Sequence, residues 1–195
     1  MLCNECCTCV HPKSDYLEWV VTTISPLIYD CKPAEILSLP FYDSNFDLKK
    51  KEIIKHFSQC SKLSYRFLQF NDVSEKIFFY NTDLLYSYLT IPKHRRFLAG
   101  LGYPVKNPEA CLEHLLIKIE QGLIPDEIGL FLGYPLKDVL GFMGHPSLTL
   151  TKKHIWQVYG DARKSDLLYE QFIASKSKMA IRLSTENVQN ILAAI

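Results

Sequence analysis

The 195-residue sequence is 48% hydrophobic and 22% charged, a balance that excludes intrinsic disorder and supplies enough apolar surface for one buried core. Lys plus Arg (22) nearly cancels Asp plus Glu (21). No global field is then available to hold a nucleic-acid backbone or an anionic membrane, and neither partner is expected. No apolar run approaches the roughly 20 residues a spanning helix needs. Seven cysteines without an export signal read as reduced thiols in the cytoplasm.

Residues 1–14 read as a cysteine-rich tail, with Cys3, Cys6, Cys7, Cys9 and His11 ahead of a turn at Pro12. From Asp15 the spacing of Leu17, Val20, Val21 and Ile24 predicts a helix, interrupted by Ser25-Pro26 because proline disfavours helix in the residue before it. The stretch from Leu27 to Leu39 places Cys31 just before a short helix expected to begin at Lys32-Pro33. A helix is expected over Asn45–Ser58. Two β-rich runs, Leu63–Phe70 and Lys76–Tyr80, flank Asn71-Asp72 and predict an antiparallel hairpin.

Short helices are expected over Asp83–Leu89 and Lys93–Leu101, split at Pro92. Pro108–Glu120 carries the strongest helical pattern, with Pro and Glu in its first turn and a stripe of Cys111, Leu112, Leu115, Leu116 and Ile119. A helix over Leu136–Phe142, a strand over His154–Tyr159 and a helix over Asp161–Ser175 capped by Asp161 complete the reading. The fold class is therefore α+β. One domain over 15–178 surrounds a small, mainly antiparallel sheet, and residues 179–195 form a helical C-terminal segment. Lys49–Lys51 and Lys152-Lys153 read as solvated faces, and Cys60 and Cys111 as core.

Asp126-Glu-Ile-Gly-Leu-Phe-Leu-Gly-Tyr-Pro135, with Lys137-Asp138-Val139, Gly141-Phe142 and Trp156-Gln-Val-Tyr-Gly-Asp161, resembles the signature of a bacterial domain-of-unknown-function family numbered 3793. The resemblance extends to Leu101-Gly-Tyr-Pro104 and to the stretch from Ser25 to Ala34, where members carry Cys-Ala-Pro-Thr-Leu-Ala-Gly-Leu-Lys. Two positions depart from that pattern: Ile24 stands where members have Cys, and Asp126 where they have His.

Thiol-based acyl transfer needs a thiolate, favoured at a helix N-terminus or beside an imidazole, and a histidine oriented by a third group. Cys31 is the candidate nucleophile, His154 or else His145 the candidate base, and Asp161 the candidate orienting group. The run His154–Asp161 and the chain order Cys, His, Asp resemble papain-like cysteine peptidases and transacylases. Acyl transfer by such a thiol implies a small-molecule or carrier-bound acyl substrate, a thioester or an amide, an amine or water as acceptor, and no cofactor. A second constellation, Cys3, Cys6, Cys7 and Cys9, offers soft ligands to zinc or another thiophilic metal. The alternative to an enzyme is a non-catalytic protein that binds a ligand, metal or partner. No glycine spacing forms a nucleotide-binding loop.

Overall fold

The computed structural model describes residues 13–195. Its centre is a three-stranded antiparallel sheet of β1 (Ala34–Pro40), β2 (Ser64–Gln69) and β3 (Ser74–Tyr80), ordered β1-β3-β2. Ala34 pairs with Tyr80 on one side of β3, and Ser64 pairs with the same Tyr80 on the other. β3 is thus covered along both edges, and its Ile77, Phe78, Phe79 and Tyr80 are all buried. Alternation along each strand feeds two cores.

One core collects Ala34, Leu68, Phe78 and Tyr80 under α4 (Thr82–Thr90), α5 (Pro92–Gly100), α6 (Pro108–Glu120) and α7 (Ile128–Phe131). The other collects Leu37, Leu39, Ile77 and Phe79 under α1 (Lys13–Thr23), α2 (Ser25–Ile28), α3 (Phe46–Phe57) and α10 (Val188–Ala193). The remaining elements are α8 (Leu136–Phe142), the hairpin of β4 (Leu150–Lys153) and β5 (Gln157–Tyr159), and the long α9 (Arg163–Leu183). The molecule is α+β, as its patterning predicts.

The hairpin over β2 and β3 follows the sequence closely, because the Asn71 side chain accepts from the amides of Val73 and Ser74 and closes the turn. The bounds of α6 agree with the pattern for an equally local reason. Asn107 accepts from the amides of Glu109 and Ala110, Pro108 opens the first turn, and the apolar stripe is buried. α9 runs through position 178 and places Met179 in the same core as Val188, Ile191 and Leu192, so the C-terminal residues pack with the sheet. Among the described residues no helix is long and apolar enough to cross a membrane.

Three expectations are corrected. Lys32-Pro33 does not begin a helix. Residues 34–40 form the edge strand β1, whose pairing with β3 is a long-range choice that local patterning misses. His154 does not begin a strand: it sits in the turn between β4 and β5, where its amide donates to the Trp156 carbonyl at 2.8 Å. The helix after Asp161 begins at Arg163 and continues to Leu183.

Candidate functional site

Cys31 follows α2. The chain turns at Asp30, which adopts a left-handed φ of 57° and lets the amides of Cys31 and Lys32 both reach the Pro26 carbonyl, at 2.7 and 3.0 Å. Asp30 is held there by the Asn81 amide at 3.0 Å and the Lys62 ammonium at 2.8 Å. The half-buried Cys31 thiol donates to the Tyr29 carbonyl at 3.3 Å and lies 3.4 Å from the Ser175 hydroxyl of α9. It therefore faces a polar pair and not the free amides of a helix start, because the residues after it are a strand.

Beside it stands an aromatic wall. Trp156 stacks on Tyr134 with centroids 4.6 Å apart and packs against Phe172 and Tyr169, and Cys31 borders this cluster. His154 lies flat on Tyr169, with centroids 4.2 Å apart and planes 5° apart, and its Nε2 is 2.7 Å from Asp166 Oδ1. Asp166 also accepts from Lys152 at 2.7 Å. Hydrogen bonds from Lys152 and from His154 hold its carboxyl below the ordinary value.

Sequence patterning points to Asp161 as the orienting carboxylate, and the structure corrects this. Asp161 is engaged by the side chain and amide of Arg163, which lower its pKa to about 2. The carboxylate that holds His154 is Asp166. It escapes a reading of the sequence because an acid in the first turn of a helix looks like a dipole-matched surface charge. His145 lies in an exposed loop, with its Nδ1 3.0 Å from the Ser147 hydroxyl.

Cys31 and His154 belong to the two ends of one wall. Their partners on α9, Ser175 and Tyr169, are six residues apart, about 9 Å along the helix axis. Among the described residues no hydrogen bond joins Cys31 to a histidine: its sulfur contacts are Tyr29 and Ser175. Ile24 is buried under the sheet and Asp126 is exposed, so neither enters this site. Cys111 is buried in the core, and Cys60 accepts from the Leu63 amide at 3.4 Å. The tail residues Cys3, Cys6, Cys7, Cys9 and His11 lie outside the described residues. Among the described ones no group of three His, Cys, Asp or Glu side chains could hold a metal.

Two buried charges, neither of them anticipated, brace the site. Lys32 is 1% exposed. Its ammonium pairs with Glu35 at 2.7 Å and lies over the rings of Tyr134 and Phe172 at 5.3 and 5.4 Å. Burial works to lower its pKa, but the charge of Glu35 and the Tyr134 phenol outweigh this and hold it raised. Asp138 accepts from the Trp156 indole at 2.9 Å, the Tyr159 amide at 2.9 Å and the Ser165 hydroxyl at 2.6 Å, with Lys137 alongside. It joins α8, the hairpin and α9 at one carboxylate. A lysine before a proline and an acid after a lysine look solvated in sequence, so only the apolar neighbours of each give a signal.

Two glycines of the signature are steric necessities. A Cβ at Gly133, where φ is +83°, would stand 2.5 Å from Pro33 Cδ, and one at Gly141 would stand 2.2 Å from the Tyr159 ring. A shallow depression of about 470 Å³ lies elsewhere, at the start of α6, lined by Pro104, Asn107, Glu113 and His114 among others, and holds none of the candidate residues.

Neither a curated protein nor a solved structure matches the chain significantly. A family model described as "Protein of unknown function (DUF3793)" matches residues 20–192, which takes in the sheet, the wall and the whole of α9. The chain belongs to the DUF3793 family.

Proposed function

We propose that this protein is a cysteine-dependent acyl- or amide-transfer enzyme with Cys31 as its nucleophile. The thiol sulfur attacks a thioester or amide carbonyl, the leaving group departs with the thiol proton, and an amine or water then releases the S-acyl group. His154, oriented by Asp166, handles the proton of the acceptor. The substrate is a small-molecule or carrier-bound acyl group laid along the aromatic wall, and no cofactor takes part. The observation that carries this reading is the polar setting of Cys31 Sγ, between the Tyr29 carbonyl and the Ser175 hydroxyl, on the wall that also carries a histidine–carboxylate pair. The partners of thiol and imidazole are six residues apart on α9, roughly 9 Å along the helix axis.

A second reading, a non-catalytic protein that binds a partner, is favoured by that separation and by the exposed Phe142, Met143 and Leu150 at the end of α8 and the start of β4. Alkylation separates the two. Under brief exposure of the full chain to iodoacetamide near neutral pH, the enzyme reading expects Cys31 to be modified about tenfold faster than Cys60 and Cys111, by peptide mapping. Equal sluggishness at all three favours the binding protein.

A further inference from the structure

We propose that Ser175 is a positioning residue that sets the ionisation of the Cys31 thiol by redirecting a single hydroxyl proton. This rests on Cys31 being the nucleophile. Ser175 is only 5% exposed, on the face of α9 that meets the end of α2. Its Oγ has two neighbours able to accept, the Gln171 carbonyl at 2.8 Å and Cys31 Sγ at 3.4 Å. A serine hydroxyl carries one proton and can donate to only one of them at a time.

With the thiol intact, the shorter bond takes the serine proton, and the thiol donates its own to the Tyr29 carbonyl at 3.3 Å. When Cys31 loses its proton, that donation ends and the sulfur becomes the strongest acceptor within reach. The hydroxyl then turns from Gln171 to the sulfur. The Gln171 carbonyl, one turn before Ser175 inside α9, keeps the intrahelical amide bond that every helix interior supplies, so the turn leaves no buried acceptor unpaired. The charged sulfur gains a donor that the neutral thiol does not need, and hydrogen bonding to the charged form favours that form. The S–H bond is the only covalent bond broken, and the proton released by Cys31 passes to solvent or base.

The test is the pH dependence of Cys31 alkylation by iodoacetamide in the full chain, read by peptide mapping with Cys111 as the internal report of unfolding. Four forms are compared: wild type, Ser175→Ala, Ser175→Thr and Ser175→Val. Thr keeps the hydroxyl, and Val removes it at nearly the same volume, so this pair decides the question even if the alanine variant does not fold. The expected result is a half-maximal pH for Cys31 about one unit higher in the Ala and Val variants, the size of one hydrogen bond to a charged group, with Thr close to wild type. Coincident profiles for Thr and Val, with Cys31 still the fastest thiol, overturn the role of Ser175 and leave Cys31 as nucleophile. A wild-type Cys31 no faster than Cys111 at any pH removes the nucleophile itself, and the inference with it.

Discussion

The indole of Trp156 donates to the buried carboxylate of Asp138 at 2.9 Å, and through this bond the hairpin that carries His154 is fastened to α8. Asp138 also receives the Tyr159 amide and the Ser165 hydroxyl. Asp138→Ala strands the buried Trp156 and Ser165 donors and the Tyr159 amide at once, while the Lys137 ammonium keeps the Tyr159 carbonyl and the Ser165 hydroxyl. The expected cost is about 3–5 kcal/mol in denaturant unfolding. Trp156 fluorescence should shift to longer wavelength at denaturant concentrations too low to unfold the wild type. A variant as stable as wild type would mean that the hairpin is held by other contacts.

Gly141→Ala drives a methyl into the Tyr159 ring, which can move only by disturbing the same hairpin. A loss of roughly 1–3 kcal/mol is expected from overpacking. Gly100 closes α5, and a Cβ added there would meet nothing within 4 Å. Gly100→Ala is the control, expected within about 0.5 kcal/mol of wild type. Thermal melts of the two variants should therefore separate clearly.

Tyr88 gives an alkaline signature. Burial pushes its phenol up to about 12, and its hydroxyl has the carbonyls of Tyr134 and Gly133 as alternative acceptors at 3.2 and 3.4 Å. A folded-state pKa above the unfolded value leaves stability intact below about pH 10 and removes it as pH rises from about 10 to about 12, a loss on the order of 2 kcal/mol. Tyr88→Phe should flatten that part of the stability–pH curve relative to wild type while costing about 1 kcal/mol at neutral pH.

His94 gives the opposite limb. Burial holds its pKa below the ordinary 6.5, against the Tyr88 carbonyl 2.8 Å from Nδ1, which favours the charged form, and with Lys93 and Lys164 adding repulsion. A depressed folded-state value means that stability is complete above about pH 6.5 and falls as pH drops through the folded-state pKa, because the unfolded chain binds the proton first. His94→Gln should lower stability at pH 7 and weaken its dependence on pH between about 7 and 5, measured by chemical unfolding across that range.

What is legible in the sequence divides along local and long-range lines. The boundaries of α6 are readable because Asn107, Pro108 and the apolar stripe all act within one helix. β1 is not, because Ala34–Pro40 becomes a strand only by pairing with β3, some forty residues away in the chain. Cys31 and His154 are readable as reactive side-chain types, and both border one aromatic cluster. Asp166, Ser175, Lys32 and Asp138 are not, since each is an ordinary polar residue until tertiary packing buries it or sets a partner against it.

The metal reading of Cys3, Cys6, Cys7 and Cys9 has its own test. Elemental analysis of protein purified without added metal should find stoichiometric zinc or another thiophilic metal, lost on deletion of residues 1–11. Metal at background level in the full chain would end it.

The most direct test of Cys31 as nucleophile is its acylation by a generic activated ester. On mixing full-length protein with p-nitrophenyl acetate near neutral pH, the expected result is a burst of p-nitrophenolate equimolar with protein. The acetyl group should map to the Cys31 peptide, and both should be absent in Cys31→Ser. Acetylation spread evenly over the other cysteines, with the burst unchanged in Cys31→Ser, would contradict the account.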